Sequence, residues 1–148
     1  MKKIPQRLAG KRAIWYVLIL ISLSFLGCAG VGQNVPAQNR ILFDEKETSH
    51  GRFNKEGLTV DYSYRLAGGN ITLDGQVYYT QSLDSLDVRL LFLDEGGNVL
   101  RQNIVYFSGY RVFRSWKSER TFHETLVVPQ EAVGISFNYY AQPRTGQK

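Results

Sequence analysis

The chain is poor in reactive and cross-linking residues: one cysteine, two histidines and one methionine in 148 residues. With Cys28 alone, no disulfide can form within the chain, so stability must come from packing and backbone pairing. His50 and His123 stand about seventy residues apart, and neither lies in a metal-ligand spacing. Gly-x-Ser-x-Gly and Ser-x-x-Lys arrangements are both missing, which removes two common serine-nucleophile signatures. Acidic residues are absent from the first 27 positions, although five of the 18 basic residues are there.

That acid-free start has an internal order. Lys2, Lys3, Arg7, Lys11 and Arg12 precede an uncharged apolar run from Ala13 to Leu26. A run of about 14 residues suits the apolar core of a secretory signal and is short for a membrane span, which needs about 20. Small and polar residues follow Cys28 at once. Residues 1–27 therefore read as an export signal. The plainer alternative is an uncleaved signal anchor in which Cys28 is only a small residue at its end.

Phe25-Leu26-Gly27-Cys28 resembles the lipobox of bacterial lipoproteins, with Phe25 where that family usually has Leu and a bulkier residue at Leu26. The resemblance implies that Cys28 becomes the first residue of the mature chain and carries diacylglycerol and a further acyl group such as palmitate. Each buried methylene contributes about 0.8 kcal/mol, so several chains on one residue anchor a protein stably. Family members kept at an inner membrane often carry Asp after the cysteine. Ala29 here implies the outer membrane, facing the periplasm, if two membranes are present.

Without the signal, 121 residues remain, with 13 basic against 13 acidic side chains. Global charge then gives no case for nucleic-acid binding. The length suits one domain plus a tether. Residues 28–39 are mostly small or polar, uncharged and interrupted by Pro36, and read as the lipidated cysteine and a flexible tether.

From residue 40 to 142 the dominant period is two. Leu58, Val60, Tyr62, Tyr64 and Leu66 alternate with Thr59, Asp61, Ser63 and Arg65. Ala67-Gly68-Gly69-Asn70 supplies a turn, and Ile71, Leu73, Val77 and Tyr79 resume the alternation. Gly75, inside that run, marks a bulge or a close approach of neighbouring backbone. Leu86, Val88, Leu90 and Phe92 share one phase, while Leu91 and Leu93 make the other partly apolar, as a central strand requires. Asp94-Glu95-Gly96-Gly97-Asn98 is a hairpin signal, after which Val99–Phe107, Thr121–Val128 and Val133–Tyr140 read as strands. Ile41–Phe43 adds a short edge strand, and residues 143–148 are a tail.

About seven short strands without a helix predict an all-β fold. The expected architecture is an antiparallel β-sandwich, immunoglobulin-like in the broad sense, with a small barrel as the structural competitor. The predicted core is Leu58, Val60, Leu73, Val77, Val88, Leu90, Phe92, Leu126, Ile135 and Phe137. Gly75 to Leu100 looks like part of the FxLYD-type domains of bacterial envelope proteins, which supports the fold and implies no activity.

Ser108–Arg120 breaks the period. Tyr110, Phe113 and Trp116 recur every third residue, with Arg111, Arg114 and Lys117 beside them. One helical or 3₁₀-like turn would put the aromatics on one stripe and the cations on the next. Such a loop suits contact with a protein, an anionic glycan or an acidic lipid surface. The plainer reading has the aromatics capping the open end of the sandwich. His123, between Phe122 and Glu124, reads as an exposed or locally hydrogen-bonded residue. Asp84 with Asp87, and Asp94 with Glu95, border turns, where acids are common for backbone reasons. Nothing in the pattern calls for a cofactor or a metal. The expectation is a non-catalytic, lipid-anchored envelope protein acting as an accessory or binding module. The alternatives are a structural subunit that pairs through a strand edge and, more remotely, a small hydrolase.

Overall fold

A computed structural model describes residues 32–44, 48–81, 83–109 and 120–144. They form eight strands: β1 (Ile41–Leu42), β2 (Thr48–Lys55), β3 (Leu58–Ala67), β4 (Asn70–Tyr79), β5 (Leu83–Leu93), β6 (Val99–Phe107), β7 (Thr121–Val127) and β8 (Gly134–Pro143). One antiparallel sheet has the order β1-β8-β5-β6 and the other the order β2-β3-β4-β7. The fold is the expected antiparallel β-sandwich. Its meander β2-β3-β4 keeps three consecutive strands side by side, whereas an immunoglobulin constant domain orders its sheets ABED and CFG.

Strand phase follows the alternation. Leu58, Val60, Ile71, Leu73, Val77, Val88, Leu90, Phe92, Ile135 and Phe137 are buried in one cluster between the sheets. Leu126 is the exception in the predicted core: it packs against that cluster half-buried, because β7 is an edge strand. The tyrosine doublets divide as their phase demands. Tyr79 and Tyr139 meet edge to face at 5.5 Å, while Tyr78 and Tyr140 remain exposed.

Three features depart from the expectations. Strand β2 was not visible in the pattern, because Thr48–Lys55 carries a single large apolar residue, Phe53. It exists because the two-residue turn Glu56-Gly57, both with positive φ, returns the chain antiparallel along β3. Secondly, Gly75 marks no bulge, since the β3–β4 and β4–β7 registers run through it without a shift.

The third concerns residues 32–39, expected as tether. They are docked, so the domain begins near residue 32 rather than 40. Gly32 N–H donates to Val99 O, Val35 N–H to Gly97 O, and Val99 N–H to Gln33 O, at 2.8–2.9 Å. Val35 is buried with Leu91, Leu93 and Val99 on the outer side of the β1-β8-β5-β6 sheet. The apolar second phase of β5 is the physical reason, because it needs a cover. A 3₁₀ turn at Ala37–Asn39 then leads into Arg40, whose Nε donates to Val35 O at 2.7 Å.

Candidate functional site

Both glycine positions that shape the outer face of β2-β3-β4-β7 lie in one cross-strand row. Gly51, Tyr62, Gly75 and Phe122 are register partners across the four strands. A Cβ on Gly51 would lie 2.6 Å from the Tyr62 hydroxyl, and one on Gly75 would overlap the Phe122 ring. The two aromatic rings occupy the space that side chains on the glycines would fill along this row. An open depression of about 760 Å³ lies on the solvent side of it.

The polar phase of the same strands lines that depression from β2 to β7, with His123 outside the lining. His50, Ser63, Asp74 and His123 form one row across all four strands, and Arg52, Asp61, Gln76 and Thr121 form the next. Directly opposed side chains on neighbouring strands stand about 5 Å apart, so each row is a line of near neighbours. His123 Nδ1 and Asp74 Oδ1 share a hydrogen bond of 2.6 Å. Arg52 donates through Nε and Nη2 to both oxygens of Asp61, at 2.5 and 2.9 Å. That bidentate hydrogen bond, with the Arg52 charge, holds the Asp61 carboxyl below its ordinary range and raises Arg52 in turn. Burial pushes the Tyr62 hydroxyl, on the inner side of the floor, above its usual value.

The order of residues limits the chemistry. Activating a serine requires the sequence Ser–His–Asp, with the imidazole between nucleophile and carboxylate. Here Asp74 stands between Ser63 and His123, two strands and about 9.6 Å from the serine strand to the histidine strand. Both members of the Asp74–His123 pair are more than half exposed, so water screens them. The arrangement offers a grid of donors and acceptors to a ligand laid across the strands. Among the described residues no group of three or more His, Asp or Glu side chains is placed to hold a metal ion.

Of the residues singled out in the sequence, Cys28, Tyr110, Arg111, Phe113, Arg114, Trp116 and Lys117 lie outside the described residues. His123 is exposed and locally hydrogen-bonded, as its setting suggested. Asp94 caps the β5–β6 hairpin: its Oδ1 accepts the Asn98 N–H at 2.7 Å, and the Asn98 side chain and backbone lower its pKa. Ser63, Asp74, Arg52 and Asp61 were missed as a group. Comparison with protein-family models, curated proteins and solved structures yields no match to this chain.

Proposed function

We propose that this protein is a non-catalytic lipoprotein of the cell envelope, a β-sandwich anchored through Cys28 that acts as an accessory or binding module. The observation that carries this reading is the boundary at Cys28, where a basic segment and an uncharged apolar run give way to small and polar residues. Ala29 favours the outer membrane, periplasmic side, in a cell with two membranes. The polar grid over the depression is a surface suited to a protein or glycan partner, and the aromatic-cationic sequence of residues 110–117 supplies side chains suited to the same contacts. Binding through side chains is favoured over strand addition, because β6 is bent by two register shifts and β2 carries Arg52 and Lys55.

Mass spectrometry of the protein purified from membranes tests the anchor. The expected result is an acylated Cys28 as the first residue; an intact Met1, or a free Cys28 thiol, sinks the reading. For the loop, Arg111→Ala with Arg114→Ala should remove envelope crosslinks and leave the melting temperature unchanged. Retained crosslinks, with a strongly lowered melting temperature for Trp116→Ala, would make the segment ordinary packing.

A further inference from the structure

We infer that the outer face of β2-β3-β4-β7 binds an internal stretch of a neutral glycan chain laid across the strands. The inference deepens the reading as a binding module and rests on it. Its ground is the make-up of the face. The two rows over the depression continue on one side as Thr48, Arg65, Thr72 and Thr125. On the other side they continue as Asn54, Thr59 and Tyr78. Every outward position in these four rows carries a hydrogen-bonding group, and none is aliphatic. Among the described residues no hydrogen bond engages the side chains of Ser63, Gln76 or Thr121, which line the depression and so keep donors and acceptors for a ligand.

The charges of the lining answer one another. Asp61 accepts both N–H groups of Arg52, and Asp74 is hydrogen-bonded to His123 just outside the lining. An anionic ligand would face the carboxylates of Asp61 and Asp74, and a cationic one the guanidinium of Arg52. An uncharged ligand meets neither penalty. A protein partner needs an apolar centre that excludes water. The only large apolar surface in these rows is the ring of Tyr78, 38% exposed and at one corner of the grid. A sugar fits both features. Its hydroxyls donate and accept, as the side chains of Ser63, Gln76 and Thr121 do. Its C–H face stacks on an aromatic ring, and Tyr78 follows Gln76 on the same face of β4, about 7 Å along the strand.

The topology selects a polymer. β2 and β7 are the two edges of their sheet, so a chain crossing the four strands runs off the face over both edges. Neighbouring strands stand about 4.8 Å apart, close to the length of one sugar ring, so successive rings meet successive strands. An open depression of this kind takes the middle of a chain, whereas a chain end calls for a closed pocket.

The test uses the full chain in neutral detergent on beads of cross-linked dextran, amylose, cellulose and galactomannan, with polygalacturonate as the anionic counterpart. The expected result is retention on at least one neutral matrix, release by soluble fragments of the same glycan, and no change with added salt. Tyr78→Ala and Gln76→Ala should each weaken retention about tenfold without lowering the melting temperature. Tyr140→Ala, which removes an exposed ring from the other sheet, should change nothing. Retention on polygalacturonate alone, or on none of the matrices, overturns the inference, as does retention that survives both Tyr78→Ala and Gln76→Ala. If envelope crosslinks are then lost in Gln76→Lys, the face binds a protein and the binding-module reading stands without the glycan. Unchanged crosslinks in that variant remove the face from the binding-module reading as well.

Discussion

The two sheets share one core but differ on their outer faces. The outer phase of β2-β3-β4-β7 is polar in the rows His50-Ser63-Asp74-His123 and Arg52-Asp61-Gln76-Thr121, and it meets water directly. The outer phase of β5 carries Leu91 and Leu93, which no alternating strand pattern can turn inward together with Leu90 and Phe92. That sheet therefore recruits the segment 32–40 as a lid, with Val35 as its apolar contact. A strand that is apolar on one phase completes a sandwich. A strand that is apolar on both demands a third layer, and here the third layer is the segment 32–40.

The sharpest way to break this comparison is to remove one leucine from each side of β5. Leu90→Ala opens the shared core, where the residue is fully buried, and should cost roughly 2–5 kcal/mol in a denaturant melt. Leu93→Ala faces the small cluster under the strap. Its cost should fall near the low end, about 2 kcal/mol, because a thin cover settles into the space more easily than a core between two sheets. Equal losses would mean that the strap packs as tightly as the core.

A smaller effect separates the polar outer face from the covered one. Gly75→Ala pushes a methyl into the Phe122 ring, and overpacking of this kind should cost about 1–3 kcal/mol. Phe122→Leu in the same chain should recover part of that loss, so a double-mutant cycle reads the contact directly. Additive losses would remove the Gly75–Phe122 contact as the source of the cost.

The smallest effect is electrostatic and belongs to exposed groups. Asp61 and Asp94 both have carboxyls lowered in the folded state, the first chiefly by its hydrogen bonds from Arg52 and the second by those from Asn98. A lowered folded-state pKa contributes stability that is present above the ordinary carboxylate range and is lost as pH falls through the lowered value. Melting temperature should therefore be level at neutral pH and decline on acidification. Asp61→Asn combined with Asp94→Asn should flatten part of that acid limb. An unchanged acid limb in the double variant would assign it to other carboxylates.

Much of the site was within reach of local chemistry. Gly68-Gly69, both at positive φ, closes a two-residue turn that sets Ser63 opposite Asp74. Glu56-Gly57 does the same for His50 and Ser63, but Thr48–Lys55 has too few apolar residues to announce a strand, so its partner row went unseen. His123 is different. Its pairing with Asp74 joins β4 to β7, separated by the hairpin of the other sheet, and no turn links them.

By itself the sequence determined the strand phases, the principal core and the hairpins, because side-chain period and turn stereochemistry act between residues close along the chain. It also carries the boundary at Cys28, a pattern of charge and apolarity that precedes the folded domain. Only the tertiary structure decided that β7 crosses to β4, that both histidines share one row, and that residues 32–39 dock where a flexible linker was expected. Each of these depends on which apolar surface is left uncovered once the strands have paired. That remainder belongs to the assembled sandwich and to no single stretch of chain.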